Sequence, residues 1–432
     1  MDERTQEPII FILLGATGDL AVKKILPALA ALFRDEKIHP LSRIIAVGRR
    51  DWKDADFISF LGHEEGKVIG AFLQAISYVK VDIDRGDGYE GLVAHIHALQ
   101  ARIGASKVFT YLSLAPQLHE KAVSVLRDAG ILLRGKNRVM IEKPFGTDEK
   151  TAKSLDRLLL SFLDESQIYR VDHYLGKDTV QAMMDIHEST PSFDELVSSA
   201  SVESICVRLF ETIGIEGRGA TYEQVGAFRD VGQNHMLVML SAIAAELPQG
   251  AREADEFMWQ KARADVIERL APPAKTCELS RRAQYEGYKS EKNVSPDSEV
   301  ETAFEVVTSL RSGKLKGVPL ILEAGKKMSR TEAFVEIKFK DISGLPEIMK
   351  FSVQPEREIS IRNRDGSTDT FETGKSRDAY ENVLIAALAD SRHSFVGSEE
   401  IEALWRYADH IVACWNKVPL ETYSDTKPFL LQ

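Results

Sequence analysis

The chain has 432 residues, of which 44% are hydrophobic and 28% charged, the composition of an ordinary globular protein. Its length exceeds what a single hydrophobic core usually serves, so two domains are expected. The formal net charge of −11 argues against nucleic acid or an anionic membrane as a partner. No apolar run approaches the roughly 20 residues that a membrane-spanning helix needs.

The cysteines and the first residues bear on the cellular compartment. Cys206, Cys277 and Cys414 lie far apart and are odd in number, which argues against a disulfide framework and favours a reducing compartment. No spacing resembles a zinc site. Met1 to Arg4 include two acidic residues and lack the long apolar core of a signal peptide. These features predict a cytoplasmic protein.

The first predicted element is a buried strand that runs into a glycine turn and a helix. Residues 9 to 14 form a continuous apolar run, which is typical of a parallel strand buried on both faces. Gly15 would permit a tight turn, Gly18 would let the backbone approach a phosphate, and the small Ala21 would allow close helix packing. This context predicts a dinucleotide site, although the spacing is G-x-x-G-x-x-A. A structural glycine turn is the alternative.

A second predicted strand, residues 44 to 47, ends in a pair of arginines. In a doubly wound sheet the residue after this strand reads the adenosine ribose. An acid there binds the 2′-hydroxyl of NAD, whereas an arginine pairs with the 2′-phosphate of NADP. Arg49 and Arg50 therefore favour NADP, and the nearby Asp51 leaves NAD open as a secondary cofactor. A solvated basic turn is the alternative.

The alternation of strands and helices continues to about residue 172. A helix is predicted over residues 89–104, and further strands over residues 78–82, 108–112 and 138–142. The last of these delivers Lys143 to a strand end, where ligands bind in doubly wound sheets. Pro144 raises the chance of a cis peptide bond.

A polar stretch then combines four chemically different groups within six residues. Asp172, His173, Tyr174 and Lys177 supply a carboxylate, an imidazole, a phenol and an ammonium. A helical pattern begins after Gly176, and the N-terminus of a helix favours an anion through its backbone N–H groups and its dipole. The stretch therefore predicts an anion site. A surface loop of mixed charge is the alternative.

The second half of the chain has a different pattern. Residues 204–211, 334–340, 349–354 and 358–362 alternate between apolar and polar side chains, which indicates antiparallel strands with one wet face. The predicted fold is an α/β Rossmann-type domain over residues 1–172. An α+β domain with a large, mostly antiparallel sheet follows over residues 173–432.

Residues 225–235 carry a candidate general base. They include Asp230 and His235 and lead into an apolar helix over residues 236–245. A carboxylate bound to one ring nitrogen would fix the tautomer and leave the other nitrogen as a base. Asp172 is available for this role from elsewhere in the chain. A histidine at the start of an apolar helix is otherwise more often a satisfied core residue.

The motifs, taken together, resemble glucose-6-phosphate dehydrogenases. Residues 169–177 are close to the family's R-I-D-H-Y-L-G-K, and residues 142–146 match E-K-P-F-G. Residues 225–235 resemble G-I-I-R-D-V-x-Q-N-H, residues 317–327 resemble G-V-P-F-Y-L-R-T-G-K, and residues 354–356 match Q-P-x-E. The resemblance implies a Rossmann domain followed by an α+β domain. It also implies oxidation of glucose 6-phosphate at C1 to the 1,5-lactone, the first step of the oxidative pentose phosphate pathway, with hydride transfer to NADP.

The resemblance also implies roles for individual residues. His235 would remove the proton of the C1 hydroxyl, and Asp172 would orient it. The implied substrate ligands are Lys143, His173, Tyr174, Lys177, Glu211, Asp230, Lys326 and Gln354. The predicted cofactor residues are Gly15, Thr17, Gly18, Asp19, Leu20, Lys24, Arg49, Arg50, Tyr111 and Lys143. No metal is implied, since hydride chemistry belongs to the nicotinamide. A homodimer or homotetramer formed through the second-domain sheet is expected.

The chain departs from the family pattern in two places, and two other functions stay open. Glu323 stands where the family mostly has a basic residue, and Thr331 falls where it often has a substrate-binding arginine, one place after Arg330. Another sugar oxidoreductase with the same E-K-P element is one alternative. An NADP-binding sensor without turnover is the other, although a sensor has no use for a base such as His235.

Overall fold

The computed structural model divides the chain into two compact units. The first comprises Met1–Gly176 and Arg377–Ser398, and the second comprises Lys177–Ser376 and Glu399–Gln432. The structure describes residues 7–63, 70–104, 107–135, 137–247, 255–374, 377–424 and 429. The N-terminal residues used to argue against a signal peptide lie outside these ranges. Among the described residues, no helix is both long and apolar enough to span a membrane.

The first unit is built on a six-stranded parallel sheet, which confirms the Rossmann-type prediction. Its strands are β1 (Ile9–Leu14), β2 (Arg43–Gly48), β3 (Ile76–Lys80), β4 (Lys107–Leu112), β5 (Asn137–Glu142) and β6 (Ile168–Val171). Their order across the sheet is β3-β2-β1-β4-β5-β6, so the order reverses between β1 and β4. The apolar run of β1 is buried along its whole length, as a central strand covered on both faces requires.

The second unit is built on a nine-stranded sheet. Its strands are β7 (Val202–Phe210), β8 (Arg281–Tyr285), β9 (Ala303–Thr308), β10 (Leu320–Gly325), β11 (Glu332–Phe339), β12 (Ile348–Gln354), β13 (Glu358–Arg362), β14 (Thr368–Glu372) and β15 (Leu420–Tyr423). They are ordered β14-β13-β12-β11-β7-β10-β9-β8-β15. Neighbours are antiparallel except for the pairs β7–β10 and β8–β15. The predicted large, mostly antiparallel sheet is confirmed.

Helices connect the strands of both sheets. In chain order they are α1 (Leu26–Arg34), α2 (Asp54–His63), α3 (Gly70–Leu73), α4 (Tyr89–Ile103), α5 (His119–Asp128), α6 (Glu149–Leu160), α7 (Asp178–Ser189), α8 (Pro191–Leu196), α9 (Gly219–Tyr222), α10 (Leu237–Ala244), α11 (Met258–Glu268), α12 (Pro273–Glu278), α13 (Ala379–Leu388) and α14 (Ser398–Cys414). Two segments, Ala21–Ile25 and Phe228–Met236, have π-helical geometry. The turn His173–Gly176 is 3₁₀-helical.

The first unit recovers a segment from late in the chain, which differs from the predicted single boundary at residue 172. Residues 377–398 return to it because α13 packs against α1 and against the turn His173–Gly176. Tyr380, Val383 and Leu384 of α13 belong to the same apolar core as the residues of β1. No local pattern marks such a return, since its cause is burial against residues about 200 to 370 positions earlier.

The cysteine prediction is wrong for two of the three cysteines. Cys277 and Cys414 form a disulfide with their Cα atoms 6.2 Å apart, while Cys206 is free. The two sulfurs meet across 137 residues because α12, which carries Cys277, packs on β9. Trp415, the neighbour of Cys414, packs on Phe304 of that same strand. Spacing along the chain therefore says little about this pairing.

Candidate active site

The turn after β1 requires glycine at its first position. Gly15 has a φ of +75°, and an added Cβ would lie 2.1 Å from the carbonyl oxygen of Ser113. The N–H of Gly18 donates to the Gly15 carbonyl at 2.9 Å, which closes the turn before Ala21–Ile25. The other predicted cofactor residues of this turn, Thr17, Asp19 and Leu20, are exposed or half-buried. A closed glycine turn at the carboxyl end of a central parallel strand fits a dinucleotide phosphate.

Two predicted cofactor ligands form ion pairs within the first unit. Lys23 pairs with Asp19 at 3.0 Å, and Lys24 pairs with Asp378 at 3.0 Å. Asp378 also accepts the N–H of Tyr380 and so caps the start of α13. Exposed pairs of this kind contribute about 0–1 kcal/mol, so a bound phosphate can compete for either lysine at small cost.

The end of β2 presents the two predicted arginines to solvent. Arg49 and Arg50 are both exposed. The guanidinium of Arg50 lies over the ring of Trp52, 4.5 Å from its centroid, which restricts where that charge can point. Asp51, the residue that left NAD open, lies 3.2 Å from the ammonium of Lys80. The exposed charge at this strand end is therefore mainly positive.

The ends of β4 and β5 hold a buried pair that the sequence did not predict. Tyr111 has no exposed surface, and its hydroxyl donates to the carboxylate of Glu142. Burial raises the pKa of Glu142 to about 7, although the hydrogen bond from Tyr111 and the charge of Lys143 oppose the shift. The Tyr111 side chain thus faces Glu142 instead of solvent. Lys143 is half-buried at the strand end, and its bond to Pro144 is cis, as predicted.

The turn after β6 is held by its own aspartate and by α13. Asp172 is 2% exposed, and its carboxylate accepts the N–H of Tyr174 at 2.9 Å. The ring of His173 stacks on Tyr380, with 5.5 Å between centroids and 7° between planes. Asn382 donates to the carbonyl of Gly176 at 2.9 Å, and an added Cβ at Gly176 would lie 2.3 Å from the Ala379 carbonyl oxygen.

Sequence reasoning missed the contribution of α13 to this turn. No role is predicted from the sequence for residues 378–381. The signal that could have suggested more is Gly176, because a glycine between apolar residues and a helix start often marks a close backbone approach. The close approach of the two backbones lets Tyr380 stack on His173 and Asn382 donate to the Gly176 carbonyl.

In the second unit, Lys177 and Gln354 come together although 177 positions separate them. The ammonium of Lys177 donates to the side-chain carbonyl of Gln354 at 3.3 Å. The pair forms because α7 starts beside β12, where the hydroxyl of Thr179 donates to the carbonyl of Ser352 at 2.9 Å. Lys177 and Gln354 are both predicted substrate ligands from separate motifs, and their side chains are in contact.

A second group of predicted ligands surrounds Lys326. This lysine is 3% exposed, and its ammonium lies 2.6 Å from Glu211 and 3.2 Å from Asp230. The ring of Tyr222 lies 5.6 Å from the same ammonium. Lys326 is therefore a buried lysine between two carboxylates and is not a solvent-exposed side chain. Glu211 and Asp230 keep 27% and 20% of their side-chain surface exposed, so a ligand can reach the group.

His235 lies in the π-helical segment Phe228–Met236, which also carries Asp230. The histidine is 3% exposed, and its backbone N–H donates to Asn234 at 2.7 Å. The amide of Asn234 in turn donates to the carbonyls of Arg229 and Asp230. The segment therefore uses a side chain to satisfy carbonyls that its widened geometry releases.

The departures from the family pattern have structural partners. Glu323 accepts from the guanidinium of Arg208 at 2.6 Å, on the β7–β10 pair. Arg330 pairs with Glu332 at 3.1 Å. The hydroxyl of Thr331 hydrogen-bonds to Thr212. The side chain of Arg330, next to Thr331 in the chain, is therefore paired with the carboxylate of Glu332.

Two family models together match nearly the whole of this chain. A family model described as the glucose-6-phosphate dehydrogenase NAD binding domain matches residues 12–182. A second, described as the C-terminal domain of glucose-6-phosphate dehydrogenase, matches residues 186–427. The chain belongs to the glucose-6-phosphate dehydrogenase family. The resemblance seen in the motifs is thereby confirmed.

Individual members of the family agree over nearly the whole chain. A glucose-6-phosphate 1-dehydrogenase from Helicobacter pylori strain J99 is 31% identical over 425 residues, which is 95% of each chain. The structure of a glucose-6-phosphate 1-dehydrogenase from Mycobacterium avium is similar with a TM-score of 0.82 at 27% identity, covering 96% of this chain and 93% of that one. A glucose-6-phosphate dehydrogenase in complex with its substrate has the same fold, with a TM-score of 0.86 at 24% identity, over 97% and 95% of the chains. Family membership makes this chain an oxidoreductase of glucose 6-phosphate that uses a nicotinamide cofactor.

Proposed function

We propose that this enzyme oxidises glucose 6-phosphate at C1 with NADP as its preferred cofactor and His235 as its general base. The observation that carries the proposal is the buried Lys326, bracketed by Glu211 and Asp230. Three residues from three separate segments, each expected to bind the substrate, meet here, with the carboxylates of Glu211 and Asp230 on the ammonium of Lys326. An arrangement of donor and acceptors around a single point is what a sugar hydroxyl requires.

In the proposed mechanism His235 takes the proton of the C1 hydroxyl. The C1–H bond breaks with its electron pair leaving as hydride, and the C1–O bond becomes the carbonyl of the 1,5-lactone. The nicotinamide cofactor supplies the hydride acceptor when it is bound. Asp172 stabilises the imidazolium and fixes the tautomer of His235. Each of the two side chains is buried in its own unit, and burial strengthens the electrostatic interactions of a charged group.

Two groups of residues share the remaining substrate contacts. His173, Tyr174 and Lys177 bind the 6-phosphate, while Glu211, Asp230 and Lys326 bind sugar hydroxyls. Lys143 and Gln354 complete the set. The stack of Tyr380 on His173 supports the first assignment, since it fixes the imidazole plane before a phosphate arrives.

NADP is the proposed cofactor because two exposed arginines follow β2. Arg49 and Arg50 pair with the 2′-phosphate, and the stack of Arg50 on Trp52 lowers the entropy lost on binding. The glycine turn holds the pyrophosphate, with Gly15, Thr17, Gly18, Asp19, Leu20 and Lys24 beside it. Lys143 also lines the cofactor. Tyr111 contributes through its backbone position, since its hydroxyl is bound to Glu142.

A homodimer or homotetramer in the cytoplasm completes the proposal. One face of the nine-stranded sheet carries half-buried polar residues, among them Ser204, Cys206 and Arg208. The guanidinium of Arg208 also lies over the ring of Phe334, 5.3 Å from its centroid. A sheet face with ordered charges and aromatic rings suits a self-complementary contact. Light scattering of the purified enzyme at several concentrations tests the assembly.

The deciding experiment follows absorbance of the reduced nicotinamide with glucose 6-phosphate and either NADP or NAD. Wild type and His235→Asn are compared, and glucose without its phosphate serves as a further substrate. Turnover with NADP that falls by about 10²- to 10⁴-fold in the variant supports the base. Turnover that survives the substitution moves the base elsewhere. Equal turnover of glucose and its phosphate favours another sugar oxidoreductase, and NADP binding without any turnover favours the sensor.

A further inference from the structure

We propose that Glu301 is a positioning residue of this reaction, whose buried carboxylate fixes the start of the segment that carries Asp230 and His235. The inference rests on the proposed roles of those two residues. No role is predicted from the sequence for Glu301. The contacts of its side chain and main chain support a positioning role.

The carboxylate of Glu301 meets the first residue of the π-helical segment. The N–H of Phe228 donates to Oε1 at 3.0 Å. The segment has no side-chain cap from its own preceding residue, so Glu301 supplies from a distant part of the chain what a capping residue usually supplies locally. Glu301 itself is 6% exposed. Asp230 follows two residues after Phe228, close enough for a shift at the start to be felt.

Gly226 shows how closely the backbone is fitted to this carboxylate. Its φ is +70°, and an added Cβ would lie 2.5 Å from Oε1 and 2.9 Å from Oε2 of Glu301. Between the glycine and the helix start, the N–H of Ala227 donates to the Glu301 carbonyl at 3.0 Å. One residue thus receives two successive N–H groups, those of Ala227 and Phe228. This fixes both the position and the direction of the entering chain.

Thr302, the residue after Glu301, connects this part of the chain to Lys326. The N–H of Lys326 donates to the carbonyl of Thr302 at 3.0 Å, and the hydroxyl of Tyr423 donates to the carbonyl of Lys326 at 2.6 Å. Residues 301 and 302 therefore hold the start of the Asp230 segment and the backbone of Lys326 at the same time. The 3.2 Å contact between the Lys326 ammonium and Asp230 links these two parts directly.

The packing around Phe228 explains why the Glu301 carboxylate affects the position of the π-helical segment and not only the stability of the fold. The Phe228 ring packs edge-on against Phe304, with 5.0 Å between centroids, and against Trp415 at 5.4 Å. The ring is thus held on one side by aromatic packing and the N–H on the other by Glu301. Loss of the carboxylate leaves the packing intact but releases the backbone, so the segment can shift without unfolding.

The two acceptor oxygens of the Glu301 side chain are part of this function. Burial raises its pKa to about 7, while the N–H of Phe228, its own N–H and the cations of Arg282 and Arg229 oppose that rise. Tyr222 also faces it, donating its hydroxyl to the Glu301 carbonyl at 3.5 Å. A carboxylate accepts at two oxygens, whereas glutamine offers one oxygen and would turn an N–H₂ group toward N–H donors.

The test compares Glu301→Gln with Glu299→Gln, a neighbouring control whose side chain is 77% exposed. We expect Glu301→Gln to lower kcat and kcat/KM for glucose 6-phosphate by about 10- to 100-fold, the loss typical of a small misplacement of reacting groups. NADP affinity, measured by fluorescence titration, should stay at the wild-type value, since the cofactor residues lie in the first unit. Gly226→Ala, which pushes on the same carboxylate, should reproduce the kinetic change.

Two results would overturn the inference. One is a Glu301→Gln enzyme with the kcat and kcat/KM of the Glu299→Gln control. The other is an equal loss of turnover and NADP binding with a lowered Tm, which would make Glu301 a purely structural residue. Failure of the proposed function looks different, because wild type would then lack turnover or His235→Asn would retain it. If Glu301→Gln folds poorly, Gly226→Ala carries the same comparison by itself.

Discussion

Replacing Lys326 by methionine tests the group at the centre of the proposed site. The substitution keeps most of the side-chain length and removes the ammonium, so Glu211 and Asp230 lose their shared cation. Removal of one partner from a fully buried ion pair costs about 3–5 kcal/mol. The two carboxylates here keep about a quarter of their surface exposed, so water can recover part of the loss. We therefore expect unfolding free energy to fall by roughly 1–3 kcal/mol.

The loss of activity should be separable from this loss of stability. A charge-assisted hydrogen bond contributes about 1.5–3 kcal/mol, and each 1.4 kcal/mol is a tenfold change. Lys326→Met should lower kcat/KM for glucose 6-phosphate by roughly 10- to 100-fold at a temperature where it is fully folded. Lys327→Met is the control, because Lys327 is 45% exposed and lies 3.6 Å from Glu291. A Lys326→Met enzyme that matches this control in both unfolding and kinetics would refute the reasoning.

Three further predictions concern the cofactor preference, the disulfide and the buried Glu142. Arg50→Ala and Trp52→Ala should each lower the NADP-to-NAD ratio of kcat/KM by about tenfold. The first variant removes the positive charge, and the second removes the ring on which the guanidinium stacks. The relative affinities for 2′,5′-ADP and 5′-AMP check this without turnover. Cys277→Ser should lower unfolding free energy by about 2–5 kcal/mol, since its disulfide closes 137 residues, whereas Cys206→Ser should change it little; denaturant unfolding measures both. Because the pKa of Glu142 is raised to about 7, the folded state keeps a proton that the unfolded state loses near 4.5; this contribution to stability is lost as pH rises from 4.5 to 7. Glu142→Gln should flatten that slope in unfolding measured against pH.

Local pattern was sufficient to predict the central strands of both sheets. The apolar run at Ile9–Leu14 became the buried β1, and the alternation at 334–340 became β11 (Glu332–Phe339). The glycine turn was predictable for the same reason, since a positive φ and a close carbonyl leave room only for Gly15. The strand patterns and the positive φ of Gly15 are local features, whereas the carbonyl of Ser113 that also excludes a side chain at Gly15 follows β4, far along the chain.

What escaped prediction has causes that lie far along the chain. Nothing near Cys277 indicates that Cys414 will lie beside it, because α12 and β9 decide that meeting. Tyr111 could be placed at a strand end, but the direction of its hydroxyl depends on Glu142 on the neighbouring strand. The helix predicted from residue 236 is preceded by the π-helical segment Phe228–Met236, whose first N–H donates to the distant Glu301. Motif recognition supplied the candidate residues, and long-range contacts decided how they are held.

The charge balance around Lys326 supports a sugar hydroxyl as its ligand. As a lysine beside a glycine, it could have served a phosphate or a hydroxyl. One ammonium between the carboxylates of Glu211 and Asp230 gives the three groups a formal charge of −1. A dianionic phosphate would be repelled by such a group, whereas a neutral hydroxyl can accept from the ammonium and donate to a carboxylate. The loss of kcat/KM in Lys326→Met should therefore be about the same for glucose as for glucose 6-phosphate. A loss confined to the phosphorylated sugar would instead assign this lysine to the phosphate.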